Sequence, residues 1–227
     1  MKDNIKNKVS CGEFNCYEDG QSFYVNGKVP HMAYSGLSIQ QHHNIVENFY
    51  KLISDVRPSQ IIEIGTAAGG LTLMLRDILD AEGMQNTELI TYDPTLPNYL
   101  LDRIEKDNLN IKYKSNNIFS GSYLELENEA EIKDLIQGKG TTILLCDGGS
   151  KKNEFRLLSP LLKSGDIIMA HDYAPNQEYF NNFVYNKVWY WLEIQDSDIE
   201  QSCVNNNLVP HMDEEFKNVV WVCRKKI

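Results

Sequence analysis

The 227-residue sequence predicts an α/β fold, a doubly wound and mostly parallel sheet with an antiparallel C-terminal hairpin strand and an N-terminal cap. Three observations carry this. From Pro58 onward, apolar runs of strand length alternate with segments of helical periodicity, the pattern of parallel strands joined by right-handed helical crossovers. The first run, Ile61-Ile62-Glu63-Ile64, turns through Gly65, Gly69 and Gly70 directly into a helix. The strand-length runs also end in polar residues, Asp93, Asn116-Asn117, Asp147 and His171-Asp172, at the edge where open α/β sheets hold their ligands.

Each element has its own justification. Residues 1–37 are polar, aromatic and punctuated by glycine, and the Asn26-Gly27 centre of Tyr24–Val29 predicts a tight hairpin in a cap or flap. From Ser38 to Ser54, Ile39, Ile45, Val46, Phe49, Tyr50 and Ile53 fall at helical spacing, with Ser38 placed to cap the helix. The division expected is therefore a cap and helix over 1–57 and a ligand-binding domain over 58–227. Within the latter, Ile61–Ile64 is a doubly buried strand, Leu71–Leu79 a helix, and Glu88–Asp93 a second strand ended by Pro94. A helix over 98–107 leads to a strand at Ile111–Lys114, and one over 128–137 to Thr142–Asp147. The helix Asn153–Leu162 feeds Asp166–Asp172, and a strand near Leu208–His211, a turn of acidic residues and the strand Asn218–Arg224 form the closing hairpin.

Composition narrows the function. Twenty-two basic against thirty-two acidic residues give a net charge of −10, which repels phosphate backbones and argues against nucleic-acid partners. No apolar run approaches the roughly 18 residues that span a bilayer, and the polar start Met1-Lys2-Asp3-Asn4 is unlike a signal peptide, so a soluble cytoplasmic protein with no membrane partner is expected. The five cysteines lack any C-x-x-C spacing; they read as reduced thiols, with Cys146 and Cys223 as small buried hydrophobes.

The glycine turn reads Glu63-x-Gly65-x-x-x-Gly69, whereas a dinucleotide fingerprint needs G-x-G-x-x-G; Thr66 and Ala67 stand where the middle glycine would admit a pyrophosphate. Gly65 and Gly69 are expected to clear space for a cofactor, and the helix opening near Gly70 offers N–H groups to a carboxylate or phosphate. This loop resembles that of the class I S-adenosylmethionine-dependent methyltransferases, and the resemblance covers about residues 58–227. It implies a Rossmann-like sheet and S-adenosylmethionine as cofactor. By this resemblance Glu63, Gly65, Thr66 and Gly69 form the cofactor loop, Asp93 accepts from the ribose hydroxyls, and Asn117 or its neighbour Asn116 meets the adenine amino group. Ile118 or Phe119 would pack on the adenine ring, and Asp147 would lie beside the sulfonium.

Asp147 with His171-Asp172 further resembles the metal-dependent O-methyltransferases of the catechol type and of the sugar and macrolide type, in which such strand-end acids hold magnesium. The resemblance implies a metal at Asp147, His171 and Asp172 that binds and acidifies the acceptor hydroxyl. His171 in place of an acid departs from the pattern and admits manganese as well as magnesium. The competing reading has Asp147 ordering its loop and His171 bonding to backbone. Ser150 stands where the family often carries Lys or His, which leaves Lys151 or His171 as the base, with Asp147 completing the catalytic set; Lys152 reads as solvated helix start. His31, His42 and His43 are read as helix-surface or capping residues rather than as lining of an acceptor pocket.

The aromatic stretch Tyr173–Trp191 follows the strand-end acids and suggests a cyclic acceptor. The function expected is methyl transfer to a hydroxyl of a small molecule, a sugar or other cyclic compound. The alternatives are a nicotinamide-dinucleotide oxidoreductase and a non-catalytic cofactor-binding subunit. Oligomeric state is left open, a homo-oligomer included.

Overall fold

The computed structural model describes residues 2–10, 32–95 and 98–227. A short helix α1 (Lys2–Lys6) and strand β1 (Val9–Ser10) precede β2 (Met32–Tyr34) and β3 (Leu37–Ile39), which pair as a small antiparallel sheet. The hairpin expected at Tyr24–Val29, together with His31, lies outside the described residues. Ser38 does not cap a helix: it sits in β3 opposite Ala33, because Ser35 and Gly36 both take positive φ and turn the chain back on β2 as a two-residue hairpin requires. The helix α2 (Ile45–Val56) starts seven residues later than Ser38 and buries Ile45, Val46, Phe49, Leu52 and Ile53.

The main sheet then follows the predicted alternation through β4 (Gln60–Ile64), α3 (Gly70–Ala81), β5 (Glu88–Tyr92), α4 (Asn98–Lys106), β6 (Ile111–Lys114), α5 (Glu129–Ile136), β7 (Thr142–Cys146), α6 (Lys151–Leu158) and β8 (Ile167–Ala170). Helix α6 tightens into a 3-10 turn at Ser159–Leu161, where Pro160 lacks the N–H that α-helix continuation needs. Beyond β8 come α7 (Gln177–Tyr179), a π-turn at Phe180–Val184, α8 (Asp196–Asn205), β9 (Leu208–Pro210), α9 (Asp213–Lys217) and β10 (Val222–Lys226). The expected acidic turn is thus a short helix, with Asp213, Glu214 and Glu215 in its first turn where the positive end of the helix dipole favours them. The last strand starts at Val222 rather than Asn218, since α9 runs to Lys217 and Val220 takes φ +59°.

Among the described residues the large sheet has seven strands in the order β6-β5-β4-β7-β8-β10-β9, parallel except for β10, which pairs antiparallel with both β8 and β9. Alternate residues feed opposite faces. Ile61, Ile143, Leu145, Ile167 and Met169 pack with α2, α3 and the N-terminal strands, while Ile62, Ile64, Leu144, Cys146 and Ile168 pack with α5, α6 and α8. The N-terminal elements share the first of these cores, and α3 carries β2 and β3 on its outer side.

One ladder feature positions everything that follows. The residue after each central strand continues the hydrogen-bonding by one step: Gly65 donates its N–H to Tyr92 O, Asp93 to Lys114 O, Asp147 to Ile64 O and His171 to Cys146 O, at 2.9, 3.1, 2.9 and 3.2 Å. The strand-end polar residues are thereby fixed along one edge.

The packing of α3 under the small sheet leaves no room at Gly70, where a Cβ would lie 2.5 Å from the Ser38 carbonyl oxygen and 2.8 Å from Ile39 Cβ. Gly70→Ala is expected to lower stability by about 1–3 kcal/mol through overpacking, against the roughly 1 kcal/mol that alanine gains by helix propensity. Urea unfolding measures this; an unchanged or raised midpoint would show that β3 does not rest on the start of α3.

Candidate active site

Two lobes of a cleft open at the carboxyl edge of the sheet. One, of about 400 Å3, is lined by Tyr92, Asp93, Asn116, Asn117, Phe119 and Tyr123 among others; the second, of about 410 Å3, by Ser38–Gln41, Ala68, Gly70, Leu71, Lys151, His171, Asp172 and Trp189–Trp191. Gly65, Ala67, Asp147 and Gly148 border both.

The loop after β4 packs closely on its neighbours. Gly65 takes φ +93°, and a Cβ there would collide with the carbonyl of Asp147, so the glycine serves the approach of one strand-end loop to the next as well as bordering the cleft. Gly69, at φ +82°, would likewise strike the Leu100 side chain of α4. Thr66 turns its hydroxyl inward, 2.5 Å from the Thr91 hydroxyl, so that only its backbone faces the cleft. Glu63 lies beneath the loop with no exposure, its Oε2 accepting from Thr72 and Thr91 at 2.6 Å each and its Oε1 without a partner among the described residues. It holds the loop from below. Burial pushes its carboxyl up to about 8, against the two hydroxyl donors, which pull it down.

Other parts of the loop suit an anionic, ribose-bearing ligand. Helix α3 begins at Gly70 without a side-chain cap, which leaves first-turn N–H groups facing the cleft beside Ala68 and Leu71. Asp93 accepts from Ala67 N and Thr95 N at 2.9 Å each, and its carboxylate borders the first lobe with lone pairs to spare. Asn117 is exposed in the same lobe, whereas Asn116 donates to Glu131 at 3.2 Å. Phe119 stacks on Tyr123 with ring centroids 5.3 Å apart, forming an aromatic wall.

The chemistry-bearing residues converge where the lobes meet. Asp147 presents Oδ1 to His171 Nδ1 at 3.2 Å and accepts from Gln41 Nε2 on Oδ2 at 2.9 Å. Gln41 in turn accepts from Trp221 Nε1 at 2.7 Å. Asp172, held at φ +58°, accepts from Trp189 Nε1 at 2.6 Å and lies 3.4 Å from His171 Nδ1; its other oxygen is 3.0 Å from Lys151 Nζ. Lys151 also reaches Glu193 at 3.2 Å, and its backbone N–H donates to the same carboxylate at 2.7 Å.

Burial raises the Asp147 carboxyl, an effect only partly offset by His171. Burial would lower His171 and Lys151, but the surrounding carboxylates, Asp172 foremost, outweigh it and raise both. Asp172 is lowered, because His171 and Lys151 overcome its burial. The His171 ring, whose Nε2 has no hydrogen-bond partner among the described residues, lies against the indoles of Trp189 and Trp221 at centroid distances of 5.2 and 5.0 Å.

The expected metal set does not fit. Among the described residues no three His, Cys, Asp or Glu side chains gather in an arrangement that could hold a metal ion. Asp147, His171 and Asp172 are adjacent, yet every carboxylate oxygen already faces a nitrogen donor. Lys151, offered as a base, is an ammonium clamped between two carboxylates. His42 accepts from the Asn44 N–H at 3.3 Å just before α2, in keeping with a capping role, and burial lowers it to about 3.

A family model for "Rhamnosyl O-methyltransferase/CmcI" matches residues 26–189. The chain belongs to that family. It is an S-adenosylmethionine-dependent O-methyltransferase with the Rossmann-like methyltransferase sheet. Solved structures of the same fold include an apo form of CmcI (TM-score 0.58, 14% identity, 86% of this chain and 76% of that one) and CmcI with magnesium and S-adenosylmethionine (0.57, 15%, 86% and 76%). A putative caffeoyl-CoA O-methyltransferase from Staphylococcus aureus also matches (0.50, 11%, 80% and 82%). No curated protein matches the sequence. No helix among the described residues is long and apolar enough to cross a membrane.

Four site residues escaped the sequence reading: Gln41, Glu154, Glu193 and Trp221. Glu154 is buried in α6 and accepts from Gly148 N and Ser150 N at 3.1 and 2.9 Å, which fixes the loop that carries Asp147. Only the polar run Gln40–His43, set before an apolar helix, gave a sequence signal for Gln41.

Glu63 generates a pH-dependent expectation. Below its ordinary value of 4.5 both folded and unfolded chains hold the proton; as pH rises toward about 8 the unfolded chain ionises first, so stability falls across that window. Glu63→Gln removes this share, and the loss of stability between pH 5 and pH 8 should shrink by roughly 1–4 kcal/mol in urea unfolding. Equal losses in variant and wild type would show that Glu63 is not held protonated.

Proposed function

We propose that this methyltransferase transfers a methyl group to the hydroxyl of a small cyclic acceptor, a sugar or a compound of similar shape, with Asp147 as the proton acceptor. The observation that carries the reading is the position of Asp147, which borders both lobes of the cleft and is the carboxylate nearest their junction. When bound, S-adenosylmethionine supplies the electrophilic methyl group. Asp93 and Asn117 would hold its ribose and adenine in the first lobe, Phe119 and Tyr123 would flank the ring, and the first turn of α3 would take its carboxylate.

The second lobe suits the acceptor. Trp189, Tyr190 and Trp191 line it, and Tyr190 and Trp191 remain 45% and 56% exposed, an apolar cost that stacking on a ring would relieve. Ser38, Ile39, Gln40 and Gln41 form the opposite wall and act in this reading as the part of the cap that faces the acceptor. As the acceptor oxygen takes the methyl group, whose carbon–sulfur bond breaks to leave the donor sulfur as a neutral thioether, the hydroxyl proton passes to the Asp147 carboxylate. His171 acts through Asp147 and is a positioning residue: its Nδ1 fixes one carboxylate oxygen while Gln41 fixes the other. Lys151 holds Asp172 and Glu193 in place. No step is assigned to a metal.

Two variants test the assignment. Asp93→Ala should weaken binding of S-adenosylhomocysteine, measured by calorimetry, by roughly 10- to 150-fold, the equivalent of about 1.5–3 kcal/mol for lost bonds to a charged acceptor. Asp147→Asn should leave that affinity within about threefold of wild type yet lower kcat with a hydroxylated cyclic acceptor by roughly 100-fold or more. Wild-type turnover by a folded Asp147→Asn protein would remove Asp147 as the base.

A further inference from the structure

We propose that the Lys151 side chain occupies the cation position of this site, so that the strand-end carboxylates of this chain exclude a divalent metal. The inference rests on the reading of this cleft as a methyltransferase site but concerns its charge balance alone. Asp147 and Asp172 border the second lobe, and Glu193 shares the Lys151 ammonium with Asp172, a concentration of negative charge that calls for a cation. Lys151 answers that call. Its Nζ lies 3.0 Å from Asp172 and 3.2 Å from Glu193, its side chain is only 12% exposed, and its backbone N–H is tied to Glu193 as well.

The remaining oxygens are already engaged by neutral donors. Trp189 Nε1 and Gln41 Nε2 cannot lose their protons to become ligands, and they point at Asp172 and Asp147 at 2.6 and 2.9 Å. A divalent cation on the Lys151-facing oxygen of Asp172 would sit close beside a fixed ammonium, and the like charges repel. Lys151 is the first residue of α6, one place after Ser150, so the helix start itself delivers the ammonium to the strand-end acids.

Manganese binding read by loss of its free electron-spin-resonance signal tests the proposal without any acceptor. Wild-type protein should leave the signal unchanged at metal concentrations that fill carboxylate sites, whereas Lys151→Met should gain a saturable site, at least about tenfold tighter than any binding by wild type. That site should disappear when Asp172→Asn is added. Lys151→Gln, which keeps a donor to Glu193, replaces Lys151→Met if the latter fails to fold. One manganese bound per wild-type chain and lost with Asp147→Asn or Asp172→Asn would overturn the proposal, and so would a folded Lys151 variant that gains no site. S-adenosylhomocysteine calorimetry on the same samples is independent: its failure in wild type would remove the cofactor reading while leaving the metal result to stand.

Discussion

The close approach of the loop after β4 to the loop after β7 is the constraint on which the site depends. Gly65 and Asp147 sit at the ends of adjacent parallel strands, and a side chain at Gly65 would strike the Asp147 carbonyl. Their contact brings the Asp147 carboxylate to the boundary between the two lobes instead of letting it swing into either. This glycine makes way for backbone, and the position of the strand-end carboxylate follows from that.

Around that contact the buried charges are balanced by geometry rather than by water. Asp172 is 6% exposed and would be costly to ionise alone; with Lys151, His171 and Trp189 all donating toward it, its carboxyl is lowered instead. The cost of this precision appears in the backbone. Asp172 takes φ +58°, and Val220, whose carbonyl accepts from the Tyr173 N–H at 2.9 Å, takes φ +59°, a conformation that β-branched residues avoid. The bond from Tyr173, the residue after Asp172, to Val220 ties these two strained positions together where the aromatic segment begins.

How far the site could be read in advance depended on the range of the interactions. Strand and helix positions from Gln60 to Ala170 follow from local periodicity, and the strand-end acids follow from the topology, so Asp93, Asp147, His171 and Asp172 were legible. Ser38 was misread because helical spacing of Ile39 and Ile45 is also satisfied by a strand, a turn and a later helix; the Ser35-Gly36 turn decides between them. Gln41, Glu193 and Trp221 act through partners 106, 42 and 180 residues away, and no local pattern encodes such pairs. Glu63, assigned to the cofactor by the motif it belongs to, bonds among the described residues to two threonines of the core, Thr72 and Thr91.

The bond from Trp221 to Gln41 carries a consequence for the birth of the protein. Asp147 is steadied by a glutamine from the beginning of the chain, and that glutamine is steadied by an indole near its end, so the link closes over 180 residues. A ribosome that has released the whole of β4 through β8 has made every strand-end acid but not the indole that fixes Gln41. The nascent chain at that stage can gather its sheet while its cleft floor is still loose. The floor of the cleft is completed only once Trp221 has been added.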